Sequence, residues 1–269
     1  MEKQRYNHRR KKQPEMGFSE EEETDLVEGR NAVLELLRSG RSVDKIWMAS
    51  ETSGKMGDIY ALAMETGVVV THCDRRKLDQ MSRTGVHQGV IAQAAARTYV
   101  SVEDILQTAR DKGEEPFILL CDGITDPHNL GAMIRSAETA GVHGVVIPKR
   151  RSVGLTAVCA KASAGAVEYM PVAKVSNLAQ TIDKMKEAGV WVFGADADGD
   201  KGLYEADFRG ATALVIGSEG EGISRIVREK CDFVVSIPMR GRVNSLNASA
   251  AAAVLLYEAV RQRQTEAQA

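Results

Sequence analysis

Between Leu26 and about Thr98, short apolar runs alternate between helical and strand-like spacing. Ala32–Leu37 is amphipathic, stops at Gly40 and predicts a helix, and Met56–Met64 predicts another, ended by Gly67. Val43–Met48, Val68–Val70 and Val86–Ala96, the last flanked by Gly85, predict three strands. Residues 26–98 therefore read as one small α/β module. Ser101–Ile105 suggests a helical turn and residues 111–116 are polar, so 99–116 reads as a linker. From Phe117 to about Arg263 the period changes. Near-continuous apolar runs at Phe117–Cys121, Gly144–Pro148, Val190–Ala195, Ala213–Gly217 and Phe233–Pro238 predict strands. Helical patterns separate them near Leu130–Ala140, Thr156–Ala162, Asn177–Ala188, Ser224–Lys230 and Leu246–Gln262. That combination predicts an α/β fold whose parallel sheet is covered on both faces.

A parallel sheet gathers its ligands at the carboxyl ends of its strands. The segments expected there are residues 122–129, Lys149-Arg150-Arg151, residues 196–199, Gly217-Ser218-Glu219-Gly220-Glu221-Gly222 and Met239-Arg240-Gly241-Arg242. Beside them runs Asn244-Ser245-Leu246-Asn247, which offers more donors and acceptors than one helix start needs before its alanine-rich helix begins. The 217–222 loop matches neither phosphate-binding glycine pattern, and its two carboxylates repel phosphate. It suits a ligand carrying positive charge or ribose hydroxyls, or else is a plain surface turn. Asn129 stands where an N-cap is expected, and Arg135 falls within the following two turns. Alone, that arginine is a solvated charge. In company with Lys149, Arg150, Arg151, Arg240 and Arg242 it points to phosphate. His128 is a lone loop histidine. With no Ser/His/Asp arrangement and no histidines at ligand spacing, hydrolase and metal-site readings recede.

Composition narrows the class further. In 269 residues, 43% are hydrophobic and 27% charged, the balance of an ordinary globular protein. No apolar run reaches membrane-span length, and the charged start lacks a secretory apolar region, so a cytoplasmic protein is expected. The four cysteines form no C-x-x-C pair and read as reduced thiols. Net charge is −2, yet residues 1–12 carry six Lys/Arg and residues 15–25 six Asp/Glu. Residues 1–25 thus read as a disordered charged tail, and residues 264–269 as a short C-terminal one.

Three segments in this order and spacing, Asn129-Leu130-Gly131 with Arg135, Gly217–Gly222, and Ile237-Pro238-Met239 with Val243–Asn247, closely resemble the three motifs of the SpoU/TrmH-type RNA ribose 2′-O-methyltransferases. Residues 26–96 resemble the same family's L30e-like substrate-binding domain. The resemblance implies a SPOUT fold, in which the C-terminal segment threads a deep trefoil knot that no pattern rule would propose. It implies S-adenosylmethionine held around Gly217, Ile237 and Leu246. It implies a homodimer built partly by the C-terminal helix, whose residues 248–253 are small. It also carries over Arg135 as the catalytic arginine, with Asn129, Glu219, Ser245 and Asn247 in the same site. Because a guanidinium is very hard to deprotonate, Arg135 is expected to position phosphate and stabilise a developing alkoxide rather than act as base. The two-domain form and Val86-His87-Gln88-Gly89-Val90 look most like bacterial enzymes that methylate a guanosine ribose of 23S rRNA. A D-loop guanosine of tRNA is the near alternative. A non-catalytic RNA-binding protein and a nicotinamide-dependent oxidoreductase are the remote ones, the latter lacking its glycine fingerprint.

Overall fold

The computed structural model describes residues 26–50 and 56–266. The charged tail and residues 267–269 lie outside these. The first module contains β1 (Leu26–Glu28), α1 (Arg30–Arg38), β2 (Val43–Ala49), α2 (Gly57–Glu65), β3 (Val70–Cys73), α3 (Arg75–Met81) and β4 (Val90–Ala94). Its sheet has the order β1-β4-β2-β3, with β2 and β3 parallel and β4 antiparallel to both its neighbours. Val33, Leu36 and Leu37 of α1 and Ile59 and Ala63 of α2 pack with Ile46 and Met48 to form its main core. Leu78 and Met81 of α3 cover Trp47 and Ile91 on the other face.

Two strands sit differently from their sequence expectation, for local reasons. Val68 closes the end of α2 by donating to the Ala63 carbonyl (2.8 Å), so β3 starts at Val70 instead. Val86–Gly89 forms a turn with positive φ at Gln88 (52°) and Gly89 (86°), which holds β4 to residues 90–94.

The second module contains α4 (Val102–Lys112), β5 (Phe117–Asp122), α5 (Pro127–Thr139), β6 (Gly144–Pro148), α6 (Ala157–Ala162), β7 (Val172–Val175) and α7 (Leu178–Glu187). It continues through β8 (Trp191–Ala195), β9 (Lys201–Gly202), β10 (Thr212–Gly217), α8 (Arg225–Lys230), β11 (Phe233–Ser236) and α9 (Ala248–Glu266). All seven strands are parallel, in the order β7-β6-β5-β10-β8-β11-β9. Side chains of β5 alternate between the two faces. Phe117, Leu119 and Cys121 pack with α5 and α9, whereas Ile118 and Leu120 pack with α4, α7 and α8. Among the described residues, no helix is long and apolar enough to cross a membrane.

The stretch read as a linker is more structured than its polarity suggests. Ser101 and Asp104 form a reciprocal capping box, Gly113 closes the other end with φ 67°, and eleven residues between them are helical. Val102 and Ile105 then bury against the second sheet.

One buried polar cluster joins the modules. Asp44 of β2 accepts at a single oxygen, Oδ1, from Lys174 Nζ of β7 and from the Tyr99 hydroxyl. Tyr99 in turn accepts from the Leu155 amide (2.8 Å). Side chains of Lys174 and Asp44 are only 8% and 4% exposed. A Cβ on Gly154 would fall 2.2 Å from Asp44 Oδ1, so this position admits no side chain. Burial and the neighbouring Asp44 charge push the Tyr99 hydroxyl well above its ordinary pKa, so it stays protonated and donates. Truncating one member of a buried pair leaves the other uncompensated. Asp44→Ala should therefore lower unfolding stability by about 3 kcal/mol, read from urea denaturation, while Asp44→Leu with Lys174→Met should recover most of it. Equal stability of Asp44→Ala and wild type would show that the pair does not hold the modules together.

Candidate functional site

Adjacent parallel strands β5 and β10 end together, with Gly217 opposite Asp122 in register. The loops that leave them meet at once. After β10, Ser218 and Gly222 exchange both amide–carbonyl bonds (3.0 Å each) and turn residues 218–222 back onto the strand end. Gly217 is fixed by that turn: a Cβ there would lie 2.0 Å from the Gly222 carbonyl carbon. After β5, Asp122 accepts from the Ser224 amide (2.7 Å) and ties the start of α8 to the same edge.

Asn129 is not the cap of its helix. Asp126 is, accepting from the His128 amide (3.0 Å), with Pro127 at the first helical position. The Asp-Pro dipeptide is the sequence signal that marks this start. Asn129 lies inside the first turn, where its side chain is free to point outward. Its Nδ2 donates to Glu219 Oε1 (3.1 Å), and its Oδ1 accepts from Asn247 Nδ2 (2.9 Å). Asn247 Nδ2 also donates to Glu219 Oε1.

Asn247 is used at both ends. Its Oδ1 caps α9, accepting from the amides of Ser249 (3.0 Å) and Ala250 (3.2 Å) and from the Ser249 hydroxyl (2.6 Å). Asn129, Glu219 and Asn247, one from each motif, thus form a closed triangle of side chains at the carboxyl edge of the sheet. The helix expected from Leu246 starts at Ala248, because Asn247 is its cap.

The other candidates surround this triangle. Arg135 is exposed six residues further along α5, and its guanidinium makes no hydrogen bond or ion pair among the described residues. It is not joined to the triangle. Ser245 and Leu246 are exposed immediately before Asn247, and Ile237 is half-buried against the main core. Among the described residues, 237–246 pair none of their backbone groups with another backbone group. The edge therefore presents a run of unpaired backbone donors and acceptors next to the apolar side chains of Ile237 and Leu246. Arg150, Arg151, Arg240 and Arg242 are exposed.

Cys121, one residue before the end of β5, is buried, and its thiol is pushed up to about 12. It supplies no thiolate at neutral pH. No group of three His, Cys, Asp or Glu among the described residues is arranged to hold a metal.

Comparison with known proteins gives this edge a family. Residues 116–257 match the SpoU rRNA Methylase family, and residues 26–100 match the family described as RNA 2′-O ribose methyltransferase substrate binding. YacO of Bacillus subtilis (strain 168), assigned to the TrmH family of tRNA/rRNA methyltransferases, is 51% identical over 240 residues, 89% of this chain and 96% of its own. A TrmH-family protein of Staphylococcus haemolyticus is 45% identical, covering 88% of this chain and 96% of its own. Among solved structures, the SpoU methyltransferase AviRb of Streptomyces viridochromogenes in complex with AdoMet is 28% identical with TM-score 0.57, covering 89% of this chain and 90% of its own. The A. aeolicus TrmH/SpoU tRNA modifying enzyme is 26% identical with TM-score 0.51, covering 61% of this chain and 85% of its own. Matched by the methylase model over more than half its length and by relatives over nearly all of it, the chain belongs to the SpoU rRNA methylase family.

Proposed function

We propose that this chain methylates a ribose 2′-hydroxyl of structured RNA, a guanosine of 23S ribosomal RNA, using S-adenosylmethionine, and that it works in the cytoplasm. One observation carries the reading: Asn129, Glu219 and Asn247, far apart in sequence, close into one hydrogen-bonded triangle at the carboxyl edge of the sheet. The residues around it suit the cofactor. Unpaired backbone groups of residues 237–246 offer donors and acceptors to an adenosine, Ile237 and Leu246 offer apolar surface, and Gly217 lets the 218–222 turn lie close. Glu219 sets a negative charge nearby, which favours a cationic ligand.

S-adenosylmethionine, when bound, supplies a methyl group already activated for displacement. What the chain adds is position and charge. Asn129 and Asn247 hold the Glu219 carboxylate and so fix the loop over the strand end. Arg135, with no partner among the described residues, holds an RNA phosphate and stabilises negative charge on the 2′-oxygen as its proton leaves. Ser245 faces the reacting groups, and Arg150, Arg151, Arg240 and Arg242 widen the positive mouth.

The two-domain form favours ribosomal RNA by analogy. The matching family is described as an rRNA methylase, and the tRNA-modifying neighbour covers only 61% of this chain. Ribose-methylation mapping in RNA from a deletion strain separates 23S rRNA from tRNA.

We further infer a homodimer and a knotted C-terminal segment. Ala250, Val254 and Tyr257 form an exposed stripe along α9 at helical spacing, a seam for a second copy. The knot is supported by the return path of the chain. After β11, near one edge of the sheet, α9 packs back on α5, and Arg263 reaches the carbonyls of Pro116 and Gly210 near the starts of β5 and β10.

Arg135→Ala should lower kcat by about 10²- to 10³-fold while leaving cofactor affinity by calorimetry nearly unchanged; full activity would sink the assignment. The two functions of Asn247 also separate by mutation. Asn247→Ala should cost about 1 kcal/mol of stability through the lost cap and also lose activity. Asn247→Asp keeps the cap but sets a carboxylate against Glu219, so it should melt closer to wild type yet transfer methyl poorly. Sedimentation should show a dimer that Val254→Asp splits; a wild-type monomer would refute the α9 seam.

A further inference from the structure

A cleft of about 260 Å³ opens where the two modules meet, away from the triangle. Leu37, Arg41 and Val68 line it from the first module, and Lys149 and Lys174 from the second, with Tyr99 between them. Lys149 follows the last residue of β6, and β6 neighbours β5. The cleft therefore shares the carboxyl edge with the methyl-transfer site, one or two strands away at about 4.8 Å per strand.

A basic loop connects the two places. The Ser152 hydroxyl (3.1 Å) and Val153 amide (2.8 Å) both donate to the Ile124 carbonyl, pinning residues 149–153 to the loop that leads into Asn129. Arg150 and Arg151 are exposed on that loop. A positive track thus runs from the triangle to the mouth of the cleft.

Charge inside the cleft is unbalanced. Lys174 is matched by Asp44. Lys149 Nζ donates to a neutral carbonyl, that of Gly67 (2.8 Å), and to no carboxylate among the described residues. Arg41 is exposed, and its guanidinium has no hydrogen bond or ion pair among the described residues. Two unneutralised cations beside the apolar surface of Leu37 and Val68 match a phosphate joined to a sugar and base. The volume, below the roughly 300–1,000 Å³ of drug-sized pockets, leaves room for one nucleotide and excludes a duplex.

We propose that this cleft is a subsite for one phosphate-bearing nucleotide of the RNA strand that flanks the methylated position; this rests on the chain being an RNA methyltransferase. The subsite gives the first module a specific task. It holds the strand at a fixed distance from the triangle, because the Asp44–Lys174–Tyr99 cluster fixes the wall that carries Arg41.

The test uses the full-length chain with in-vitro-transcribed 23S rRNA and tRNA. On whichever RNA the wild type methylates, Arg41→Glu should raise the KM for RNA roughly fivefold or more, with kcat at saturating RNA and cofactor affinity little changed. Arg41→Gln should make the salt dependence of RNA affinity shallower by about one log–log unit, which a merely structural role would not do. An unchanged KM and salt slope in both variants overturns the subsite while leaving the methyltransferase reading intact. A wild-type chain that methylates neither RNA overturns both. Saturable guanosine 5′-monophosphate binding that Arg41→Glu abolishes without moving the KM for RNA would assign the cleft to a free nucleotide and overturn the subsite as stated.

Discussion

Asn247 spends both ends of one amide. Its oxygen closes the start of the last helix, and its single nitrogen, Nδ2, donates both to Asn129 beyond β5 and to Glu219 beyond β10. Neither task is unusual alone. Joined in one side chain, they tie the direction of α9 to the position of Glu219. A shift of the helix start would therefore disturb the turn that covers Gly217. The parallel sheet makes this economical, because it brings every strand to the same edge without further bracing.

Much of the second module is legible in the sequence, because buried parallel strands write themselves as continuous apolar runs. Phe117–Cys121, Gly144–Pro148 and Ala213–Gly217 lie almost where their apolar runs end. What is missed is short or locally masked. β7 is four residues and β9 two, below the length at which alternation means anything. α4 is hidden by charge, since its stability comes from a capping box and a few buried contacts rather than a broad apolar stripe. In the first module, positive φ at Gln88 and Gly89 shortens a strand that the β-branched residues predict longer.

The site divides along the same line. The family resemblance carries over Asn129, Arg135, Glu219, Ser245 and Asn247, and the structure joins Asn129, Glu219 and Asn247 by side-chain hydrogen bonds. The division of roles among them is not legible: sequence reasoning makes Asn129 a cap, while Asp126 takes that task and frees Asn129 for the triangle. Asp44, Lys174 and Tyr99 leave no trace in any local pattern. Each is an ordinary residue in its own segment, and only the docking of two modules brings them together.

The triangle joins residues 118 positions apart, and its last corner lies on the final stretch of the described chain. Such contacts close long loops, and that closure slows folding more than it lowers final stability. During synthesis from the N-terminus, the first module and β5 to β10 leave the ribosome while one corner of the triangle is still missing. The corner arrives only with residue 247. A truncated or stalled product would carry the first module and most of the sheet without the closed triangle at its carboxyl edge.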